Sequence, residues 1–493
     1  MEQADGRAEG RAEGRAARGR LRRAERLLRR AIRVTASERA GRHFALNLSL
    51  LLQQRHELSL SDDPSEAAEA VTAARHALAG LSAEEEWWCD ALRTLADALL
   101  LVHATGTDPD SGTEVDEAVQ CLVRAVADVP RGFGELPALI VRLGNALETS
   151  AVSGAADVDA LERSFGVARD AVAEVRDEGR PMARWALAEA LCSVALAAGW
   201  KAALDEGIGI YRDLRRELSP SSELLHSLGT ALLLRGEADP AAVAEGLSVL
   251  RAAVTFTASG SPERRTVEQD LGAALHTSYQ RTADPAFLDE AITLLGATVD
   301  STPDGESGLA LRRMRLAIAL DARATRTGAA DDAREASELL SQALADPVTD
   351  EDDEERADIL LALANTLLTL AELTGEPGLV AKAVGHLRTA ARTATGRLLR
   401  GQVHSSLSSA LRTSFEHGGP PADLDDAVAA GRTAVRLAGD SAMDLPDCLT
   451  NLANALADKY DQVGTEAPEL LDEAIVHARA GGGGGGRRRT PTA

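Results

Sequence analysis

The chain has 493 residues, of which 45% are hydrophobic and only 3% aromatic, a balance that supplies a large core and disfavours aromatic-rich β-sandwiches and barrels. Its 77 acidic residues outnumber 53 lysines and arginines, which gives a net charge of −24. The low aromatic content predicts an all-α chain. A net negative charge of this size repels nucleic-acid phosphates and anionic lipids, which predicts that the chain binds neither nucleic acid nor membrane.

The N-terminal segment is basic, with 11 arginines in residues 1–33. We expect residues 1–20, rich in Arg, Gly, Ala and Glu, to be a disordered leader. Residues 24–32 have the apolar spacing of the second helix of a repeat and predict an unpaired helix before the first repeat. A basic amphipathic arm for acidic partners or membrane is the alternative.

A motif of the form Leu-small-x-Ala/Thr-Leu recurs nine times between Leu95 and Leu456, with a weaker tenth copy at Leu46–Leu50. The final leucines of successive copies lie 41–49 residues apart, a period of about 45. Leucines four residues apart share one helical face, and the small residue allows close approach of a neighbour. The motif therefore predicts the first helix, helix A, of each repeat.

A second motif follows each copy 14–20 residues later and is clearest at Leu288–Ile292, Leu424–Val428 and Leu471–Ile475. Its acidic pair suits the start of a helix, where the helix dipole is positive. Turn signals such as Asp284-Pro285 lie between the two motifs. Each repeat is thus predicted to be helix A, a turn and helix B, in one array over residues 21–480.

The tenth repeat has an unusual ending. Its helix B is predicted to run from Leu471 to Ala480, after which six glycines and three arginines replace the expected second apolar segment. We expect residues 481–493 to be a disordered Gly/Arg tail or the product of a truncation or frameshift. An uncapped end of a repeat array exposes its stacking face.

These helices resemble the tetratricopeptide repeat (TPR) family, whose first helix carries Leu-Gly-x-Ala-Leu, as Leu143–Leu147 and Leu271–Leu275 do. The resemblance implies a right-handed α-solenoid of about ten helix-turn-helix repeats. The family unit is 34 residues long. The longer period here predicts longer A helices, and a HEAT-like or other α-solenoid is the alternative.

Motifs that carry chemistry are missing from the sequence. It has no phosphate-binding Gly-x-x-x-x-Gly-Lys-Ser/Thr loop and no His-Glu-x-x-His. Its four cysteines have no disulfide or zinc spacing. His404 and Cys448 could form a base and thiol pair, but both fall at helix A positions that packing explains. We therefore predict no cofactor, no metal and no catalytic residue.

The resemblance also implies a binding groove, because helix A lines the concave face in the TPR family. Peptide-clamping members have Asn after Leu-Gly, and Asn145 matches that position. Asn365 and Asn454 occupy it after Leu-Ala. An amide both donates and accepts, so it can pair with an extended peptide backbone. Arg142 and Arg315, each one residue before a motif, are expected to contact a carboxylate, with a solvated face as the alternative.

The function expected from these features is a non-catalytic scaffold or regulatory arm that binds a protein or peptide. The array is similar to repeat regions that precede caspase-like CHAT peptidase domains in high-GC bacteria. That likeness implies a sensor arm of a signalling or defence system with an effector encoded downstream. A helical-repeat enzyme with an unrecognised active site and the repeat arm of a transcriptional regulator are the alternatives.

The location expected from the sequence is cytoplasmic, since no apolar leader is present. The longest apolar stretch, Ile359–Ala371, contains polar residues and is expected to be too short to span a bilayer.

Overall fold

The structure of the chain is a computed structural model, and it describes the following residues: 20–57, 63–105, 112–130, 134–154, 157–176, 178–236, 239–306, 308–346, 353–439, 445–464 and 467–482. Within these ranges the helices are α-helical throughout and no β-strand occurs. The predicted all-α class is confirmed. The chain divides into two compact units, residues 1–256 (unit 1) and 257–493 (unit 2).

Unit 1 contains one single helix followed by five pairs of an A helix and a B helix. The single helix, α1, covers residues 20–34. The A helices are α2 Glu38–Glu57, α4 Trp88–Thr105, α6 Leu136–Val152, α8 Arg180–Ala198 and α10 Ser222–Arg235. The B helices are α3 Pro64–Leu78, α5 Thr113–Asp128, α7 Val158–Glu174, α9 Lys201–Glu217 and α11 Pro240–Phe256.

Unit 2 contains five more A/B pairs, and each of them is packed as a helical hairpin. The A helices are α12 Pro262–Thr282, α14 Leu309–Thr327, α16 Asp353–Thr374, α18 Arg397–Glu416 and α20 Leu445–Val463. The B helices are α13 Pro285–Asp300, α15 Ala330–Leu344, α17 Pro377–Thr393, α19 Ala422–Ala438 and α21 Pro468–Gly482. Within each unit every B helix packs on the A helix that follows it, and every A helix packs on its own B helix except α6, which packs on α8 and makes little contact with α7. The helix order confirms the predicted ten A/B repeats, nine of which are packed hairpins. Each unit has solenoid-type stacking, while the handedness stays a prediction.

Local chemistry sets where these helices begin and end. The side chains of Asp157 and Ser261 accept hydrogen bonds from the free backbone N–H groups of Ala160 (2.7 Å) and Arg264 (3.1 Å) at helix starts. Gly328 closes α14 with φ +74°, a left-handed conformation that glycine adopts at little cost. The turn predicted at Asp284-Pro285 is confirmed, since α12 ends at Thr282 and α13 begins at Pro285.

The leucines of the A motif form the core. Both leucines of all nine strong copies, from Leu95 to Leu456, are buried. The tenth copy is different: Leu48 and Leu52 are buried, whereas Leu50 is 37% exposed. The register predicted at Leu46–Leu50 is therefore wrong by two residues, because the buried pair of α2 is Leu48 and Leu52.

In α12 and α18 the small residue of the motif lies where helix A touches its own helix B. A Cβ on Gly272 would lie 2.7 Å from Cγ of Leu295 in α13, which is too close for a side chain. In α18 the same position is Ser408, whose Oγ donates to the Ala427 carbonyl of α19 at 2.8 Å. The motif therefore combines leucine burial with close backbone approach.

Helix lengths confirm the predicted long A helices in unit 2, where A helices have 19–22 residues and B helices 15–17. In unit 1 the prediction fails at α10, which has 14 residues against 17 in α11, and α6 and α7 are equal at 17 residues. The longest helix, α16, also corrects an expectation, since by length and composition it could cross a membrane. Of its apolar window 61% is buried inside the protein, as in the core helix of a stack.

The two ends of the array were predicted separately. The single helix α1 confirms the expected unpaired helix: Leu28 and Ile32 pack on the core, and Arg55 of α2 donates to Glu25 at 2.6 Å. Helix α21 runs from Pro468 to Gly482, longer at both ends than predicted. Residues 1–19 of the predicted leader and 483–493 of the predicted tail lie outside the described residues.

Candidate protein-binding surface

One position of the A motif points to solvent on successive A helices. It is the third residue, between the small residue and Ala or Thr. Because each residue turns a helix by about 100°, buried leucines at the first and fifth positions leave the third facing outward. We call these residues the A-face stripe: Asp97, Asn145, Glu189 and Thr230 in unit 1, and Ala273, Ile318, Asn365, Ser409 and Asn454 in unit 2.

In unit 1 the predicted residues Asn145 and Arg142 lie on α6. Asn145 is exposed, as its position around the helix axis requires. Arg142 donates from Nη1 to Oδ1 of Asp97 on α4 at 2.7 Å. The guanidinium expected to contact a partner's carboxylate is thus already paired with an acid of the neighbouring A helix.

Helix α6 is held unusually close to α8. A Cβ on Gly144 would lie 2.6 Å from Cβ and 2.9 Å from Cα of Ala190, so only glycine fits here. Helix α6 packs on α8 and makes little contact with α7, the helix that follows it in the chain. Phe165 of α7 is fully buried. The third repeat therefore departs from the hairpin arrangement, and its α6 is joined to α8 by direct helix contact.

In unit 2 the predicted residues Asn365 and Asn454 are both exposed on the stripe. They are not brought together, because α18 lies between their helices, and Ser409 is its stripe residue. Ile318 of α14 is 37% exposed and gives the stripe one apolar position. The unit thus offers separated amide groups along one surface.

Arg315, the remaining predicted residue, lies on α14 and is half-buried. Its Nη1 is 4.0 Å from Oδ1 of Asp270 on α12. Burial raises the pKa of the Asp358 carboxyl on α16, and the positive charge of Arg315 opposes that rise. Arg315 therefore balances acids on the A helices at both sides.

Polar contacts between consecutive A helices were not predicted. Besides Asp97–Arg142, they join residues 45–48 positions apart, about one repeat: Glu148 with Ser193, Asp321 with Thr369, Ser405 with Asn451, and Arg412 with Asp458. Complementary residues one period apart were the signal available in the sequence. These contacts fix how neighbouring A helices lie side by side, and they engage Asp97 of the stripe, whereas Asn145, Asn365 and Asn454 are exposed.

Asp321 is a buried acid between two neighbouring A helices. Its Oδ1 is buried without a hydrogen-bond partner, and its Oδ2 accepts from Thr369 Oγ1 at 3.4 Å. Burial raises the pKa of this carboxyl, and the Thr369 bond only partly offsets the rise. Ionisation of Asp321 therefore works against folding.

Burial shifts the pKa values of two thiols and of one histidine. Burial raises the pKa of Cys121 to about 11 and of Cys192 to about 12, which keeps both as thiols rather than nucleophilic thiolates. Burial lowers the pKa of His404, and its Nδ1 is buried without a hydrogen-bond partner. Among the residues that the structure describes, no group of three or more His, Cys, Asp or Glu side chains could hold a metal ion.

Comparison with known proteins gives neither a matching family model nor a matching curated protein. Among solved structures, the apo quorum sensor NprR from B. thuringiensis is similar at 10% identity and a TM-score of 0.42, over 75% of this chain and 98% of that one. The human IFIT1 dimer with PPP-AAAA (14% identity, TM-score 0.35) covers 94% of this chain and 93% of its own.

A third similar structure is the Cut9-Hcn1 hetero-tetramer of APC/C, at 11% identity and a TM-score of 0.35, over 94% of this chain and 95% of that chain. The fold assignment therefore rests on the helix pairing and leucine burial seen in this chain.

Proposed function

We propose that the chain is a non-catalytic scaffold or regulatory arm that binds an extended protein segment along the A-face stripe. The observation that carries the proposal is the exposure of Asn145, Asn365 and Asn454 between buried leucines. An amide held at a fixed phase of a rigid helix can accept from a backbone N–H and donate to a backbone C=O. Repetition along the A helices of each unit spaces such contacts along a bound segment.

The charge of the surface supports a neutral or basic segment. In unit 1 the stripe carries Asp97 and Glu189 at the two sides of Asn145, and Arg142 already neutralises part of Asp97. The whole chain has a net charge of −24. A basic segment would be drawn to such a surface, whereas an acidic one would be repelled.

The test is selection of a random-peptide library on the full chain, followed by affinity measurement on variants. Asn145→Ala with Asn365→Ala is expected to weaken selected peptides about ten-fold, since each lost hydrogen bond costs about 0.5–1.5 kcal/mol. The matched control is Gln120→Ala with Gln342→Ala, which removes amides from exposed positions of α5 and α15. Equal affinities for both double variants would remove the stripe as the binding surface.

We also propose, on the resemblance to repeat arrays alone, that the chain acts in the bacterial cytoplasm with an effector such as a CHAT-type peptidase. Translating the DNA beyond the codons for Gly481–Gly486 in three frames tests this. A downstream domain with His and Cys supports the effector. A helix-turn-helix or nucleotide-binding module there would instead favour the transcriptional regulator.

A further inference from the structure

Three B helices share one surface pattern. It consists of an apolar residue, an Asp one position later, a second apolar residue four positions later and an Arg eight positions later. We call this pattern the stacking face of a B helix. It comprises Leu204, Asp205, Ile208 and Arg212 in α9, Leu424, Asp425, Val428 and Arg432 in α19, and Leu471, Asp472, Ile475 and Arg479 in α21.

On α9 and α19 the Asp of the stacking face binds the first helix of the next hairpin. Asp205 Oδ1 lies 3.0 Å from Nε of Arg235 on α10. Asp425 Oδ1 lies 3.0 Å from Nζ of Lys459 on α20. The basic residues occupy the same place, seven positions after the first leucine of the A motif. One filled stacking face is in unit 1 and the other in unit 2, so the arrangement recurs independently.

The Arg of the stacking face binds the second helix of the same hairpin. Arg432 donates through Nε and Nη2 to the two carboxylate oxygens of Glu473 on α21, at 2.9 and 2.6 Å. Arg212 makes the same two-pronged contact with Glu245 on α11. A filled stacking face therefore holds a hairpin with a basic residue on its first helix and an acidic residue on its second.

On α21 the same face is uncovered in the described part of the chain. Leu471 and Ile475 are 38% and 39% exposed, whereas their counterparts Leu424 and Val428 in α19 are 0% and 6% exposed. The stacking faces of α19 and α21 thus have matching apolar residues, and they differ in whether another hairpin covers those residues.

The charges of the α21 stacking face are also unmatched. Asp472 and Arg479 are exposed, and neither has a charged partner among the residues that the structure describes. The face has the two apolar residues and both charges that hold a hairpin on α19, each exactly 47 positions further along.

We infer that the stacking face of α21 binds a helical hairpin of a partner polypeptide, with a basic residue on its first helix and an acidic residue on its second. This inference does not depend on the A-face stripe. Such a hairpin would complement α21 in the way that the hairpin of α20 and α21 complements α19. Two apolar residues supply the contact, and two opposite charges set its orientation.

A second copy of this chain is a poorer occupant. In each of the three B helices with a stacking face, an acidic residue lies six positions before the Arg, as Glu473 lies before Arg479 in α21. Helix α1 has Arg23 six positions before Arg29. End-to-end association of α21 with α1 of another copy would therefore bring Arg479 against Arg23, a like-charge contact.

The probe for this inference is a synthetic peptide of residues 445–482, the hairpin that fills the stacking face of α19. It is labelled with a fluorophore and titrated against the full chain by anisotropy. We expect saturable binding and slower hydrogen exchange in α21. The inference is overturned if the chain shows no binding at concentrations up to roughly 1 mM, which corresponds to a binding free energy near −4 kcal/mol.

Variants of the full chain locate the contact. Leu471→Asp with Ile475→Asp is expected to abolish binding, and both positions are exposed enough to accept the change. Arg479→Glu is expected to weaken binding about ten-fold, as reversal of an interfacial charge does, and a probe with Glu473→Arg should restore it. The matched control Arg163→Glu, on the exposed surface of α7, should leave affinity unchanged.

Binding that survives Leu471→Asp with Ile475→Asp, or that Arg479→Glu and Arg163→Glu weaken equally, also overturns the inference. The Asn145→Ala and Asn365→Ala double variant should bind the probe as the natural chain does. Failure of the stripe proposal and failure of this one are therefore distinguishable.

Discussion

Helices α19 and α21 have the same apolar and acidic pattern but different neighbours. Leu424 of α19 is fully buried with α20 packed against its helix, and Leu471 of α21 is 38% exposed. Residue type and helical phase are identical, so neither explains the difference. The comparison teaches that the burial of a B helix is supplied by the next hairpin, as expected for a stack of nearest-neighbour contacts.

Truncating Leu424 and Leu471 should have different effects on stability, although the sequence patterns around them match. Leu424→Ala is expected to lower the free energy of unfolding by about 3 kcal/mol, because it leaves a cavity in a closed core. Leu471→Ala should cost less than about 1 kcal/mol, since water already reaches the side chain. Urea denaturation followed by circular dichroism measures both. Equal losses would contradict the dependence on the neighbour.

The same logic applies to the direct contact of α6 with α8. Gly144→Ala is expected to lower the free energy of unfolding by about 2 kcal/mol, because the new methyl group overlaps Ala190. Gly166→Ala is the control, since no atom lies within 4 Å of its Cβ position. It should raise stability by up to about 1 kcal/mol through its higher helix propensity. A stabilising Gly144→Ala would mean that α6 can move away from α8.

Asp321 tests a polar contact between neighbouring A helices. Because burial raises the pKa of its carboxyl in the folded state, ionisation costs stability. That cost is absent at pH values below the unfolded pKa of about 3.9 and grows as pH rises through the folded pKa. Asp321→Asn should therefore stabilise the chain by about 1 kcal/mol at pH 7.

The gain from Asp321→Asn should shrink to nothing in acid, where both states hold a protonated carboxyl. Melting temperatures across pH measure it. Asp458→Asn is the control, because it removes the acid that lies 3.4 Å from Arg412, and it should not stabilise at pH 7. A gain from Asp321→Asn that is independent of pH would show that ionisation is not its cause.

The smallest expected effect returns to α19 and α21. Arg432→Ala removes an exposed ion pair with Glu473 and should cost about 0.5 kcal/mol, less in high salt. Arg479→Ala, at the same place on the uncovered face, should leave the stability of the full chain unchanged. Denaturation at low and high salt separates the two. An equal cost for both variants would mean that Arg479 already has a partner.

Much of the fold could be predicted from the sequence because it depends on periodicity. The nine strong copies of the A motif are the buried stripes of nine A helices. The register of the weaker tenth copy was predicted wrongly, because α2 has leucines at 46, 48, 50, 51 and 52 and spacing alone allows two registers. Ser49 decides between them, since its Oγ donates to the Ala70 carbonyl at 2.8 Å, a contact that needs the folded hairpin.

The candidate site was predictable only in part for a similar reason. Helical phase was enough to place Asn145, Asn365 and Asn454 at the surface. The partner of Arg142 depends on which acid of α4 lies beside it, and that is set by the packing of two A helices. The stacking face of α21 had a sequence signal, Glu473 and Arg479 six residues apart, but its meaning came from the filled faces of α9 and α19.

Hydrogen exchange resolved by helix, measured on the full chain, tests most directly whether neighbouring hairpins supply burial. The account predicts slow exchange in α19 and exchange at least about ten-fold faster in α21, since opening an uncovered helix costs less free energy. Equal protection of α19 and α21 would contradict it.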